Sequence, residues 1–210
     1  MISIINNIIH QKAIVWFVWI TLFLSLIFEL FVGRFGSAFV IALALAMTFM
    51  PILLKRWYNI QLPRSLSLFT VFFAYASLFL GEIHDFYEYF WWWDVLLHGC
   101  SAMILGIIGL MLTRMMISSE VVRATHFMRS FFAFMFSVAL GAIWEVFEFL
   151  MDVLFATNMQ KSGLVDTMVD LIVDMTGAFI VATLAYLHWK YGRHNFVGHA
   201  IERFVSRYNG

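Results

Sequence analysis

Six apolar runs, each near the roughly 18 to 23 residues that suffice to cross a bilayer core, divide this 210-residue chain. They fall at about 13–32, 36–54, 66–83, 94–113, 130–152 and 167–189. A backbone inside hydrocarbon has to satisfy its own hydrogen bonds, so runs of this length are expected to be helices. The expected fold class is all-α, a polytopic transmembrane bundle of about six helices. It forms a single integral membrane domain over 1–210, with 190–210 as a tail. Composition agrees: 63% hydrophobic and 12% charged residues, with 24 Phe and 2 Pro, belong to a membrane protein rather than a soluble domain. The first run ends near Glu29 and is followed by no small-residue cleavage site, so it is expected to remain as an uncleaved span. Pro51 and Pro63 are expected to punctuate the second and third helices.

The lysines and arginines orient these spans, because cytoplasmic loops carry their excess. With the N-terminus inside, Lys12, Lys55, Arg56, Arg64, Arg114, Arg123, Arg129, Lys190, Arg193, Arg203 and Arg207 lie inside, leaving Arg34 and Lys161 outside. The acids run the other way, with Glu120 and Glu202 alone on the inner side. A zero net charge therefore hides a molecule with about +9 inside and about −9 outside. Both termini are expected in the cytoplasm of a bacterial cell with the chain in its inner membrane. The lipid bilayer is the first partner. Zero net charge and scattered basic residues give no nucleic-acid footprint. Cys100 is the single cysteine, so there is no internal disulfide or cysteine-based metal knuckle, and it reads as a small buried hydrophobe. Nothing in the pattern fixes an oligomeric state.

Setting Glu120 aside, ten of the 13 carboxylates fall between Glu82 and Asp174, at or just inside the ends of apolar helices. Charge placed there is functional by default. In the fourth span Asp94 and His98 are spaced i, i+4 and share a face, with His98 about 6 Å deeper. In the fifth, Glu145, Glu148 and Asp152 share a face. In the sixth, Asp166, Asp170 and Asp174 form one stripe, and Gly177 a turn further on admits a close helix.

Facing lipid, such acids would cost roughly 2.5 to 3.5 kcal/mol each at mid-bilayer. Facing one another, two ionised carboxylates 4 Å apart repel by about 4 kcal/mol at an effective dielectric of 20. Bound metal cations, bound protons or a water-filled vestibule must offset this. Carboxylates with histidine suit zinc, manganese, iron or magnesium. Protonated carboxylates suit a proton pathway.

Each residue also has an ordinary reading. Asp94 alone is an interfacial cap and His98 alone a hydrogen-bonded core histidine. Asp152 and Asp166 read as helix-end charges, Asp166 as an N-cap for the sixth helix. His84, Asp85 and Glu88 are either solvated surface or an outer ligand shell, to which Asp166 also belongs. Phe86 to Trp93 forms an aromatic belt at headgroup level, or a wall for a lipid substrate. His188, His194 and His199 sit with an interfacial amphipathic tail and read as passive.

Three motifs carry a family resemblance: Trp-Trp-Trp-Asp-x3-His (Trp91 to His98), Gly-Ala-x-Trp-Glu-x2-Glu (Gly141 to Glu148) and Asp-Thr-x2-Asp-x3-Asp-x2-Gly (Asp166 to Gly177). In this order they resemble the YjdF-like inner membrane proteins of bacteria. More distantly the chain is similar to the VanZ-like membrane proteins, where an Asp and His four apart, an acidic helix and an Asp-x3-Asn-x2-Gly helix recur. Asp174 stands where that pattern has Asn. The resemblance implies an inner membrane location and supplies no reaction.

The expected function is a metal-dependent membrane enzyme, a hydrolase or transferase acting on a lipid or lipid-linked substrate. Asp94, His98, Glu148, Asp170 and Asp174 are the expected ligands and Glu145 the general base. The alternatives are a proton or cation transporter, and a non-catalytic envelope-integrity protein with a structural cation site.

Overall fold

The computed structural model describes residues 2–58, 62, 64–118, 123–155 and 157–208. Pro63 and Glu120 lie outside the described residues, as do the side chains of Lys12, Arg203 and Arg207. Among the described residues the chain is all-α with no strand. It forms two compact units, residues 1–93 and 94–210.

In the first unit α1 (Ile2–Val32) packs on α2 (Phe35–Thr48), which also meets α4 (Arg64–Ala74) and the π-helical turns Tyr75–Ile83 that continue it. Its core gathers Val18, Leu22, Ile41, Ala44, Val71 and Phe79, one apolar stripe from each element. The wider winding after Ala74 is seen at His84, whose N–H bonds to the Phe79 carbonyl five residues back. A short α5 (Phe86–Tyr89) follows Asp85, which takes a left-handed φ of 58°. Trp93 then donates its indole N–H to the Ala76 carbonyl at 3.3 Å.

The expected second span, 36–54, is broken. The helix ends at Thr48, and α3 (Met50–Tyr58) leaves it at an angle of 47°. Pro51 has no N–H to give back to the preceding turn, so the ladder cannot run through it. The Phe49 N–H closes on Ala46 at 3.1 Å, and Ile52 and Leu53 start the new helix on the Phe49 carbonyl. Trp19 of α1 holds the corner, donating to the Thr48 hydroxyl at 3.0 Å and stacking on Phe49. Among the described residues, five helical stretches are long and apolar enough to span a membrane, or six when α2 and α3 are taken together.

The second unit is an up-down-up arrangement of α6 (Trp93–Ser118), α7 (His126–Phe155) and α8 (Leu164–Tyr191), with α9 (Phe196–Tyr208) folded onto the end of α8. Small residues set the helix spacing, as expected where close backbone approach replaces the hydrophobic drive. A methyl group on Gly177 of α8 would meet the Gly99 carbonyl at 3.0 Å and Ala102 at 3.1 Å. One on Gly109 of α6 would meet the Ala133 backbone of α7 at 2.9 Å. The Ser137 hydroxyl of α7 donates to the Ala102 carbonyl of α6 at 2.7 Å.

Both helices of the α7–α8 pair extend beyond the expected spans 130–152 and 167–189. α7 starts a turn earlier, where the Thr125 hydroxyl accepts the Met128 N–H at 3.2 Å. α8 starts at Leu164 because Gly163, with φ 65°, makes the sharp entry. This corrects the expectation for Asp166. It is not the N-cap but lies in the first turn, where its carboxylate accepts the Lys161 backbone N–H at 3.1 Å. Cys100 is half-buried rather than fully buried.

Candidate functional site

His98 stands at the centre of the polar cluster in the second unit, and each of the three long helices brings acids to it. From α8, Asp174 approaches the Nδ1 edge of the ring with its carboxylate oxygens at 3.4 Å. On the opposite edge Nε2 lies 3.8 Å from Asp94 Oδ1, one turn earlier on α6, and 3.8 Å from Glu145 Oε1 of α7. Asp94, His98 and Asp170 each offer a ligand atom, and these atoms lie within 4.8 Å of one another. The i, i+4 spacing of Asp94 with His98 and of Asp170 with Asp174 is what lets two helices each aim two groups at one point.

The cluster is buried on most sides. His98, Glu145, Glu148, Asp170 and Asp174 are all buried, and Asp94 is half-buried at the rim. Both Glu145 oxygens, Asp170 Oδ2 and Asp174 Oδ1 are buried without a partner at hydrogen-bond geometry, although the Thr167 hydroxyl faces Glu145. Glu148 is better provided for, since its Oε1 accepts the Trp144 indole N–H at 2.9 Å. Orphaned buried oxygens are rare in native proteins, and each costs about 1 to 3 kcal/mol unless something supplies its missing partner. Five carboxylates, Asp94, Glu145, Glu148, Asp170 and Asp174, face one imidazole, with the field of Lys161 reaching Asp94.

The sequence-derived set thus divides. Asp94, His98, Glu145, Glu148, Asp170 and Asp174 are brought together. Asp166 is half-buried, engaged with the Lys161 backbone and close enough for its charge to act on Asp94. His84, Asp85 and Glu88 are exposed residues of the first unit, where the His84 ring packs edge-on against Phe79. Asp152 organises the loop after α7, accepting the Thr157 hydroxyl at 2.6 Å and the N–H groups of Met159 and Gln160 at 2.7 and 2.8 Å. Two contributions escape a reading by acid and histidine spacing. Gly141 packs directly on the Asp174 carboxylate, and Trp144 donates to Glu148. Both fall inside the Gly-Ala-x-Trp-Glu-x2-Glu run, which is the signal that marks them.

An all-α membrane protein with a buried histidine–carboxylate cluster is the class that fold and site define. The chain belongs to the family described as "Predicted membrane protein (DUF2238)", whose model matches residues 14–191 and so takes in every residue of the cluster. A protein of Thermotoga maritima described as "Uncharacterized protein" is 26% identical over 140 residues, covering 66% of this chain and 70% of that protein. No solved structure matches the chain.

Proposed function

We propose that this protein is a metal-dependent enzyme of the bacterial inner membrane, acting on a lipid or lipid-linked substrate at the periplasmic face. The observation that carries this reading is the set of buried, unpartnered carboxylate oxygens on Glu145, Asp170 and Asp174 around His98. A divalent cation would give Asp170 its missing partner directly and offset the negative charge of Glu145 and Asp174 beside it. The spacing favours it too: His98 Nε2 and Asp94 Oδ1, 3.8 Å apart, are too far for a hydrogen bond but close to the roughly 3.4 Å that separates two ligands on one tetrahedral ion.

In this reading Asp94, His98 through Nε2, Asp170 and Glu148 hold the ion. Asp174 changes role from the ligand expected on sequence to an orienting partner. It faces Nδ1, the nitrogen that a metal-bound histidine gives to a carboxylate in the surrounding shell. Glu145 remains the general base, poised beside the ion where water would be activated. Asp94 is the most accessible of the six, so substrate enters past it. YjdF-like identity belongs to this reading, supported by the family match, and so does the orientation with both termini in the cytoplasm. The exposed aromatic surface of Tyr89, Trp91 and Trp92 suits an interface with lipid headgroups.

Elemental mass spectrometry of purified protein, with and without chelator, tests the reading. Near-stoichiometric zinc, manganese, iron or magnesium that falls in His98→Ala supports it. Metal-free protein whose melting temperature ignores all four ions overturns it, in favour of protonated carboxylates.

A further inference from the structure

At the corner where the C-terminal end of α8 turns into α9, well past the Asp170 and Asp174 that face His98, a second group of histidines converges. His188 Nε2 lies 3.4 Å from Glu202 Oε1, and His188, His194 and Glu202 each place a ligand atom within 4.8 Å of the other two. The other Glu202 oxygen is 3.4 Å from His199 Nδ1. The His194 ring stacks on that of His199 and meets His188 edge-on.

The corner is built to hold these groups. Gly192 ends α8 in a left-handed turn with φ 66°. Asn195 donates to the Leu184 carbonyl at 2.9 Å and accepts the Gly198 N–H at 2.9 Å, which ties the start of α9 to α8. Val197 and Ile201 bury themselves beneath it. Gly198 lies flat against the His188 ring, where any side chain would collide. Ring orientation is set by a further bond. His188 Nδ1 is 3.1 Å from the Arg193 carbonyl, which can only accept, so Nδ1 carries the proton and Nε2 is the nitrogen turned towards Glu202. A histidine whose far nitrogen donates to a backbone carbonyl is oriented as metal-bound histidines are.

We propose that His188 Nε2, His194 and Glu202 Oε1 form a second metal site, selective for a borderline transition ion of the zinc class. His199 positions the carboxylate through its other oxygen. Two imidazoles and one carboxylate make a three-ligand zinc set that leaves one position for water. His194, His199 and Glu202 are exposed, so that position faces solvent. Hard ions such as magnesium prefer all-oxygen sets and should bind poorly. A bound ion would pin the amphipathic helix α9 to the end of α8.

The test uses full-length protein purified without a histidine tag, titrated with zinc and, for spectroscopy, with cobalt. His194→Ala/Glu202→Gln should lose one equivalent of zinc, and should do so equally in wild type and in a His98→Ala background. The second arm keeps this site distinct from the one around His98: loss of zinc in His98→Ala alone reports on that other site only. His199→Ala should retain the site with affinity lowered about 10- to 100-fold, as expected when a group supporting a ligand is removed. The visible cobalt bands of nitrogen-ligated metal should persist in His98→Ala and disappear when His194→Ala/Glu202→Gln is added to that background. Unchanged zinc stoichiometry and cobalt spectrum in the double variant, with the protein still folded by circular dichroism, would overturn the proposal and leave a histidine–glutamate ion pair at the corner.

Discussion

Gly141 of α7 packs so closely on Asp174 of α8 that a methyl group added there would overlap the carboxylate. The absence of a side chain at 141 is what allows Asp174 to reach the Nδ1 edge of His98. Gly141→Ala must therefore push Asp174 aside or separate the helices. Overpacking of this kind costs about 1 to 3 kcal/mol. The melting temperature should fall and divalent-metal affinity should fall with it, as read by thermal denaturation and metal titration. Gly36→Ala serves as the control, since a methyl group there meets no neighbouring atom.

Asp152 provides a contrast within the same acidic stripe. Its carboxylate accepts one hydroxyl and two backbone N–H groups, all in the loop that joins α7 to α8. Asp152→Asn gives up charge-assisted acceptance and leaves one backbone donor poorly matched, a modest loss. Stability should drop while metal content stays at the wild-type level. Reduced metal content would place Asp152 inside the site after all.

The spans were legible because a bilayer demands length and apolarity together, and both can be counted. The acids that converge on His98 were legible because i, i+3 and i, i+4 spacing on three helices admits few other arrangements. The break at Phe49 was only half legible. Pro51 announces an interrupted ladder, but whether the helix bends or stops depends on Trp19 meeting Thr48 from 29 residues away. The role of Gly163 was hidden by Asp166, whose side chain is an equally good cap by type. Which of the two ends the loop depends on a positive φ that a glycine permits but does not announce. The histidines after Tyr186 looked passive for a similar reason. Their convergence needs α9 folded back on α8, a tertiary event that Gly192, Asn195 and Gly198 bring about together.

The orientation expected from the cation asymmetry can be measured independently of the site. Reporter fusions after residues 60, 120 and the C-terminus should be cytoplasmic, and those after residues 88 and 160 periplasmic. The α2–α3 pair carries the sharpest version of this test, since a 47° bend allows either a broken span or a re-entrant loop. A reporter after residue 60 on the same side as one after residue 34 would make it re-entrant. A periplasmic C-terminus would reverse the whole layout.

Three isosteric substitutions separate the parts assigned to Asp170, Asp174 and Glu145. Asn and Gln match Asp and Glu in shape and remove one charge, so packing is nearly preserved in each. Asp174→Asn relieves repulsion in metal-free protein, whose melting temperature should hold or rise. Its metal affinity should fall about 10- to 100-fold, because His98 loses the carboxylate that orients its ring. Asp170→Asn removes one of the proposed ligands itself, and the loss of affinity should be larger than for Asp174→Asn. Glu145→Gln should keep metal content close to wild type, and any hydrolytic or transfer activity found on lipid-linked substrates should fall about 100-fold or more, as for loss of a general base. Equal losses of metal in Asp170→Asn and Glu145→Gln would make Glu145 a ligand, and unchanged metal content in all three would remove the ion from the cluster and leave its carboxylates to protons.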